Sequence, residues 1–258
     1  MLERILRTKV AEVAELKISL NIDEIETPVP RFDIAERLSP PARSMQVIAE
    51  VKKASPVKGL LRSFEDPVVL ARAYEENGAA AISVISDEKF FQGDKNYVRS
   101  VASALEVPVL RKDFILEEIQ LYETISLGAS LVLLIAALHD YRSLLRLSER
   151  SLLLGLEPLV EIHSLEELDL LKDLPVRLVG VNNRNLQDFQ VDLRTSLKLA
   201  DHLDNNWIKV SESGIKTRED MRMLRNCGYN AVLIGETLVT STDPGGKLKE
   251  LLNYEEEL

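Results

Sequence analysis

Short apolar runs recur along this chain and alternate with longer segments in which apolar residues follow a helical spacing. An apolar run of about four to eight residues bounded by turns is typical of a buried strand, and an amphipathic stripe is typical of a surface helix. Eight runs predict strands, near residues 46–52, 79–85, 107–112, 131–136, 157–162, 177–182, 207–212 and 230–235.

Helical patterns fill the intervals between these runs, with local signals at their ends. Ser164 followed by Glu167 is typical of a capping box, and Asn77-Gly78 is typical of a helix stop. We predict helices over 66–77, 96–105, 117–127, 141–154, 164–172, 193–201 and 217–226.

The strict alternation of strands and helices predicts an α/β fold with parallel strands and right-handed crossovers. Eight units favour a closed (β/α)8 TIM barrel over an open doubly wound sheet. No Gly-x-Gly-x-x-Gly follows any of the eight runs, which also weakens a dinucleotide-binding interpretation.

Residues 1–45 precede the first strand and stand outside this alternation. They contain an amphipathic stripe, a Pro-rich break at Thr27–Pro30 and a short apolar segment over 32–38. We therefore expect one barrel domain over residues 1–258, with residues 1–45 as a helical extension packed over one barrel end. The stripe consists of Leu2, Ile5, Leu6, Val10 and Val13.

Charge narrows the classes of partner. The formal net charge of -10 and the pI near 5.0 argue against a general nucleic-acid binder, whose affinity comes largely from Lys and Arg neutralising phosphates. Any anionic ligand must therefore meet a local cluster of positive charge. The longest apolar run, Leu131–Leu138, is too short to span a bilayer, and the first residues lack the apolar core of a secretory signal.

The cysteine and histidine content excludes two kinds of stabilisation. Cys227 is the single cysteine, so no intrachain disulfide can form, and a reducing cytoplasm is the expected compartment. His139, His163 and His202 are widely scattered and provide no zinc-binding spacing. We therefore expect no metal site.

Charged residues end several predicted strands without a break in the period of two. Glu50 and Lys52 continue the face of Ile48, and Lys112 continues the face of Leu110. Active groups of barrel enzymes lie at the C-terminal ends of strands, and converging charges there are costly unless they pair or serve acid/base chemistry. The strand-end candidates are Glu50, Lys52, Lys112, Glu161, Asn182, Arg184, Glu212 and Ser213.

A phosphate site is expected beside the last two strands. Small residues at Ser213-Gly214 and at Gly235-Glu236 follow the seventh and eighth runs, where such barrels recurrently bind phosphate through backbone N–H groups. Ser55 could add a side-chain donor, and Lys52, Lys53 and Lys58 could add positive charge.

Each candidate also has a purely structural interpretation. The strand-end charges could form a rim network of ion pairs, and Asn182–Arg184 could be only a polar turn. Cys227 is better explained as a small buried filler than as a nucleophile, because no histidine has a partnering position. His163 is better explained as a loop residue than as a catalyst, and Phe90-Phe91 could simply pack a loop.

Six segments together resemble the indole-3-glycerol phosphate synthase family. They occur in the family's order, and the resemblance covers essentially the whole chain, including the N-terminal extension. The segments are Ile48–Pro56, Leu110–Ile115, Leu159–Ile162, Gly180–Arg184, Ser211–Ile215 and Leu233–Gly235.

The resemblance implies the ring-closure step of tryptophan biosynthesis. In this reaction 1-(2-carboxyphenylamino)-1-deoxyribulose 5-phosphate becomes indole-3-glycerol phosphate, carbon dioxide and water, without a metal or organic cofactor. The family match implies that Lys112 is the general acid and Glu161 the second proton-transfer residue. Glu50 would orient or tune the lysines, and Lys52 would bind an anionic end of the substrate or share the acid role.

The resemblance also implies a set of substrate contacts. Arg184 would meet the aryl carboxylate that is lost, and at position 236 this chain has Glu where some relatives carry Ser. A carboxylate would repel phosphate, so only the backbone N–H of Glu236 is carried over. The implied substrate contacts are Ser55, Phe91, Phe114, Asn182, Arg184, Glu212 and Ser213, and the implied phosphate contacts are Gly214, Gly235 and Glu236.

Two other functions remain compatible with the residues. One is a lyase or aldolase in which Lys112 forms a Schiff base with a phosphorylated substrate. The other is a catalytically silent phosphate-binding barrel that acts as a scaffold. The isomerase of the preceding tryptophan step is disfavoured, because Cys227 lies in no predicted strand and the expected Cys/Asp pair is missing.

Overall fold

A closed barrel of eight parallel strands forms the centre of the computed structural model, which describes residues 2–26, 31–39 and 44–253. Gln46 of the first strand pairs with Ala231 of the last, and this pairing closes the barrel. The predicted (β/α)8 barrel and all eight predicted strands are confirmed. The strands are β1 Gln46–Val51, β2 Ala81–Ile85, β3 Val109–Lys112, β4 Leu131–Ile135, β5 Glu157–Ile162, β6 Leu178–Asn182, β7 Ile208–Glu212 and β8 Ala231–Ile234.

Each predicted helix is present between two successive strands. The Ser164 side chain accepts a hydrogen bond from the backbone N–H of Glu167, which is one half of the predicted capping box, whereas the Glu167 side chain accepts from the backbone N–H of His163. The helix that follows continues as a 3-10 turn over Asp169–Leu171. No helix of the described residues is long and apolar enough to cross a membrane. The connecting helices are Pro67–Glu76, Lys95–Ala104, Ile119–Ser126, Tyr141–Leu153, Leu165–Leu168, Arg194–Ala200 and Arg218–Asn226.

Alternation along each strand divides the apolar side chains between two layers. Ile48, Leu110 and Leu159 belong to the cluster inside the barrel. Val47 and Val160 belong to the larger cluster between the barrel and its helices. Residues that continue the inward face toward the strand ends must therefore project into the mouth of the barrel. These residues are Glu50, Lys112, Glu161 and Glu212.

The described part of the N-terminal extension contacts both ends of the barrel. The helix Leu2–Ser19 lies at the C-terminal ends of the strands, where Lys9 Nζ is 2.8 Å from an oxygen of Asp113. The helix Ile34–Leu38 lies near the opposite end, where Arg37 donates a hydrogen bond to the carbonyl of Glu106.

This arrangement corrects the expectation that the extension covers one barrel end. The physical reason is that β1 begins at the N-terminal end of the barrel, so the chain must pass that end to enter the strand. The predicted break at Thr27–Pro30 lies outside the described residues.

Several short elements were not predicted. A two-stranded hairpin, Ala54–Ser55 with Gly59–Leu60, follows β1, and one-turn helices follow β2 and β8 at Glu88–Phe91 and Glu236–Val239. Elements of one turn contain too few residues to show a period. The helix Pro244–Leu252 was also missed, although Asp243 caps it and proline occupies its first position.

Candidate active site

The barrel mouth contains a cavity of about 770 Å³. Leu2 and Ile5 of the N-terminal helix contribute to its wall. Among the site residues that the resemblance implies, Ser55 does not line the cavity. The predicted residues that line it are Glu50, Lys52, Phe91, Lys112, Phe114, Glu161, Asn182, Arg184, Glu212, Ser213, Gly214, Gly235 and Glu236.

Lys112 is held between two glutamate side chains at the end of β3. Its Nζ lies 2.6 Å from Glu161 Oε2 and 3.1 Å from Glu212 Oε2. Burial alone would lower the pKa of this lysine, but the charges of Glu161, Glu212 and Glu50 outweigh burial and raise its pKa above the ordinary value. Lys112 is therefore protonated at physiological pH, which is the state that a general acid requires.

The two carboxyl groups beside Lys112 have different pKa values. Burial would raise the pKa of Glu161, but Lys112 and His163 outweigh burial and hold that pKa below its ordinary value. Burial raises the pKa of Glu212 more than the charge of Lys112 lowers it. The negative charge of Glu161 raises it further, and the pKa of Glu212 is about 8. At neutral pH the three groups therefore comprise one carboxylate, one ammonium and one carboxyl group that retains its proton.

Gly180 makes room for the Glu212 carboxyl group. It lies on β6, where it pairs with Glu161 of β5 on one side. A Cβ added at Gly180 would overlap Glu212 Oε1 and also approach Leu159. The absence of a side chain at position 180 therefore allows Glu212 to lie close to Lys112.

Glu50 and Lys52 form a second ion pair in the cavity. Lys52 Nζ lies 2.6 Å from Glu50 Oε1, and both side chains are largely buried. Gly235, at the end of the neighbouring strand β8, has the same spatial role as Gly180, because an added Cβ would overlap Glu50 Oε1. The position predicted for phosphate binding thus also leaves room for the Glu50 carboxylate.

The loop after β7 has an unusual backbone conformation. Ser213 has φ of 67° and Gly214 has φ of 86°. Left-handed φ is uncommon for a residue other than glycine, and such strain persists only where the surroundings fix it. Asn183 supplies this support, because its Nδ2 donates to the carbonyls of Glu212 and Ser213 at 2.9 and 3.0 Å. Asn183 therefore has a structural role in the polar turn, whereas its neighbour Asn182 lines the cavity.

Glu236 lies between two cations at the end of β8. Its Oε1 is 2.5 Å from Lys58 Nζ, and its Oε2 is 3.8 Å from a guanidinium nitrogen of Arg184. Burial would raise the pKa of Glu236, but its hydrogen bond with Lys58 outweighs burial and the pKa is lowered. The predicted phosphate-site cation Lys58 is thus already paired with a carboxylate, and Arg184 lies near the same carboxylate.

Two aromatic side chains form one wall of the cavity. The rings of Phe91 and Phe114 have centroids 6.3 Å apart and an interplanar angle of 42°. Asp87 caps the helix that carries Phe91 by accepting hydrogen bonds from the backbone N–H groups of Phe90 and Phe91. Phe91 therefore lines the cavity and does not merely pack a loop.

Two residues of the predicted phosphate site lie elsewhere. Ser55 Oγ accepts a hydrogen bond from the backbone N–H of Lys58 and stabilises the hairpin. Lys53 Nζ donates to the Tyr97 hydroxyl at 2.5 Å and lies over the Phe64 ring, away from the cavity. Both residues follow β1, where the hairpin abolishes the period of two. Cys227 packs against the outer apolar cluster, in agreement with its interpretation as a filler.

His163 is the polar residue that the sequence interpretation underestimated. Its ring nitrogens lie 3.2 Å from Glu161 Oε1 and 3.1 Å from Glu167 Oε2. His163 lies in the loop after β5, as expected, and does not line the cavity, but its contacts with two carboxylates were not predicted. The signal was present, because His163 continues the face of Glu161 and precedes the Ser164–Glu167 capping pattern.

A second group of charges that sequence reasoning missed lies beneath the N-terminal helix. Lys9 is only 3% exposed, and its Nζ contacts Asp113 at 2.8 Å and Asp87 at 3.4 Å. Arg111, also buried, contacts Asp113 and Glu123. Lys9 occurs within an apolar stripe, and this one charge on a buried helix face was the available signal.

Solved structures share this fold. The barrel superposes on 3-hexulose-6-phosphate synthase from Salmonella typhimurium with a TM-score of 0.66 at 12% identity, covering 81% of this chain and 98% of the other. It superposes on thiamine phosphate pyrophosphorylase from Pyrococcus furiosus with a TM-score of 0.62 at 14% identity, covering 84% and 98%. At these identities the similarity supports the fold alone.

Relatives found by sequence have a much higher identity to this chain than these solved structures have. The chain is 44% identical over 246 residues to indole-3-glycerol phosphate synthase of Chloroherpeton thalassium, covering 93% of this chain and 95% of the relative. It is 39% identical over 259 residues to that of a Geobacillus species, covering 100% and 99%. The family model for indole-3-glycerol phosphate synthase matches residues 2–251. The chain belongs to the indole-3-glycerol phosphate synthase family.

Proposed function

We propose that this protein catalyses the conversion of 1-(2-carboxyphenylamino)-1-deoxyribulose 5-phosphate to indole-3-glycerol phosphate, with Lys112 as the general acid. The observation that carries the proposal is the position of Lys112 between Glu161 and Glu212 in the barrel mouth. The net charge of -10 favours a small substrate over nucleic acid, and the single cysteine fits a reducing cytoplasm.

Ring closure requires an acid at the ribulose carbonyl. The aryl carbon that bears the carboxylate attacks the C2 carbonyl carbon, and the carbonyl oxygen takes a proton from the Lys112 ammonium. Loss of carbon dioxide then returns the bonding electrons to the ring and restores its aromaticity. Lys112 enters the reaction protonated, because the surrounding acidic groups hold its pKa above the ordinary value.

Dehydration requires a second round of proton transfer. The new hydroxyl group leaves as water after taking a proton from the reprotonated acid, and a base removes a proton to form the indole double bond. Glu161 is suited to the base role, since its lowered pKa keeps it ionised and its oxygen lies 2.6 Å from Lys112. The proton that Glu161 accepts can return to Lys112, and the reaction consumes one proton overall through loss of the carboxylate.

Glu212 and Glu50 adjust the charge around Lys112. With a pKa near 8, Glu212 retains its proton at neutral pH and can donate a hydrogen bond to a substrate hydroxyl. Glu50 holds Lys52 at 2.6 Å and contributes to the raised pKa of Lys112. Lys52 would bind an anionic part of the substrate or share the acid role.

The substrate ends fit opposite sides of the cavity. The aromatic ring is suited to the wall formed by Phe91 and Phe114. The phosphate is suited to the backbone of Gly214 and Gly235, where two cations, Lys58 and Arg184, lie within reach of Glu236. Because Arg184 lies near this loop, the phosphate is favoured over the aryl carboxylate as its ligand. Asn182 and Ser213 line the same cavity and would contact the ribulose chain.

The Schiff-base alternative is less compatible with the electrostatics. Imine formation needs a neutral amine, whereas the carboxylates around Lys112 favour its ammonium form. Borohydride in the presence of substrate would trap an imine on Lys112 if that alternative were correct. We expect no trapped adduct by mass spectrometry.

The direct test is to incubate the purified chain with carboxyphenylamino-deoxyribulose phosphate and follow indole fluorescence. We expect turnover without an added metal or cofactor, and release of one carbon dioxide per indole formed. Lys53→Ala provides a matched control for substitutions of the active-site lysines, because Lys53 lies outside the cavity lining. Absence of indole product with correctly folded protein would overturn the proposed function.

A further inference from the structure

His163 lies between two carboxylates just beyond the end of β5. Its Nε2 is 3.2 Å from Glu161 Oε1, and its Nδ1 is 3.1 Å from Glu167 Oε2. The side chain is 10% exposed. Nδ1 has hydrogen-bond geometry toward Glu167 Oε2, whereas Nε2 lies within ion-pair distance of Glu161 Oε1 without making a hydrogen bond. A carboxylate on each side of the ring favours the imidazolium, which carries a proton on both nitrogens.

Glu167 fixes His163 through main-chain and side-chain contacts. Its Oε2 accepts a hydrogen bond from the backbone N–H of His163 at 2.8 Å. The backbone N–H of Glu167 in turn donates to Ser164 Oγ at 3.3 Å. Glu167 therefore stabilises the start of the short helix and anchors the imidazole ring in one orientation.

The two oxygens of Glu161 have different partners. Oε1 faces His163, whereas Oε2 accepts a hydrogen bond from Lys112 at 2.6 Å. His163 does not line the cavity, so it approaches Glu161 from behind. A carboxylate held in this way presents one defined oxygen to the lysine and cannot rotate without losing a charged partner.

We propose that His163 is a positioning residue for proton transfer: its imidazolium, anchored by Glu167, keeps Glu161 ionised and directed at Lys112. The inference rests on the proposed function of Glu161 and adds a residue outside the cavity to the same step. The groups that face His163 are Glu161 and Glu167. Burial would lower the pKa of His163, but these two carboxylates outweigh burial and raise its pKa to about 9.

The inference predicts a specific kinetic signature for His163→Gln. Glutamine retains a hydrogen-bond donor but carries no charge, so Glu161 should bind a proton more readily in this variant. We expect kcat to fall about tenfold, KM to stay within about twofold, and the acid limb of kcat/KM to move to higher pH by about one unit. A purely structural role would lower stability without moving the acid limb.

Two further variants sharpen this test. Glu167→Gln should move the acid limb in the same direction by a smaller amount, and the double variant should resemble His163→Gln alone, since both residues act through one contact. His202→Gln is the matched control, because His202 is exposed and does not line the cavity. It should leave kcat and the pH profile unchanged.

A measurement on the parent protein guards against variants that fold poorly. The His163 ring should titrate by NMR near pH 9, and titration near the ordinary value of 6.5 would overturn the inference. An inactive Glu161→Gln together with a His163→Gln variant of unchanged kcat and acid limb would overturn this inference and leave the proposed function intact. A fully active Glu161→Gln would overturn the proposed role of Glu161, and this inference with it.

Discussion

Lys9 Nζ lies 2.8 Å from Asp113 Oδ1, and this contact joins the N-terminal helix to the residue that directly follows Lys112. Lys9 also lies 3.4 Å from Asp87, which caps the helix carrying Phe91. One buried ammonium therefore connects the extension to the loops after β2 and β3. The extension is thus tied by charge to two segments that shape the active site.

Lys9→Met should destabilise the protein strongly. The substitution keeps the apolar stem but leaves Asp87 and Asp113 buried with less compensating charge, although Asp113 retains Arg111. Loss of one partner of a buried ion pair costs about 3–5 kcal/mol. Urea unfolding of parent and variant would measure this change in the free energy of unfolding.

Lys17→Met is the control for this prediction, since Lys17 lies on the same helix and pairs with Glu117 at the surface. Exposed pairs contribute less than about 1 kcal/mol. Equal effects of the two substitutions would show that the buried contacts of Lys9 contribute no special stability.

Lys112→Ala should lower turnover by about two to four orders of magnitude, the range for removal of a positioned general acid. Binding should suffer less, because the aromatic wall and the phosphate loop remain. Steady-state indole fluorescence would give kcat and KM, with Lys53→Ala as control. Near-normal turnover of Lys112→Ala would transfer the acid role to Lys52.

The strand-end part of the active site was predictable because it follows from local geometry. Side chains alternate along a strand, so the phase of Leu110, Leu159 and Val210 places Lys112, Glu161 and Glu212 in the barrel mouth. A closed parallel barrel brings these strand ends together. Local periodicity and the fold class together therefore give the set of residues that meet.

Residues beyond the strand ends were less predictable because their positions depend on tertiary contacts. Lys53 and Ser55 belong to a hairpin that directs them away from the cavity, and His163 is held by Glu167. Lys9 is buried by the docking of a helix distant in sequence. The phase of His163 and the lone charge of Lys9 in an apolar stripe were signals in the sequence, but neither identifies the partners of these residues.

Gly180→Ala and Gly235→Ala should each displace one carboxylate. The added methyl group at position 180 overlaps Glu212, and that at position 235 overlaps Glu50. Misplacement of a catalytic group by about 1 Å can cost on the order of a hundredfold in rate, so we expect kcat losses of this size. Kinetic assays should be paired with urea midpoints.

Gly228→Ala separates strain from displacement in this series. Gly228 has φ of 88° and open space around its Cα, so alanine there should lower stability by roughly 1 kcal/mol while leaving kcat unchanged. If Gly180→Ala behaves like Gly228→Ala, the glycine does not make room for Glu212.

The buried charges also predict how stability depends on pH. The pKa of His163 is raised from 6.5 in the unfolded chain to about 9 in the folded protein. The stability that the protonated His163 contributes is therefore fully present below about pH 6.5 and is lost as the pH rises through 9. The pKa of Glu212 is raised from 4.5 to about 8 by burial, so the folded state again binds more protons, and stability falls as the pH rises from 4.5 to 8.

Two variants distinguish these contributions, because the two pH windows only partly overlap. The free energy of unfolding, measured in urea from pH 5 to 9.5, should fall with rising pH in the parent. In each variant it should fall less steeply over the pH range in which the substituted group titrates. Relative to the parent, His163→Gln should lose the slope between about pH 8 and 9, and Glu212→Gln the slope between about pH 4.5 and 6.5. Other titrating groups cancel in these differences. A His163→Gln variant that keeps the parent's slope above pH 8 would show that the imidazole is not held as a cation by Glu161 and Glu167.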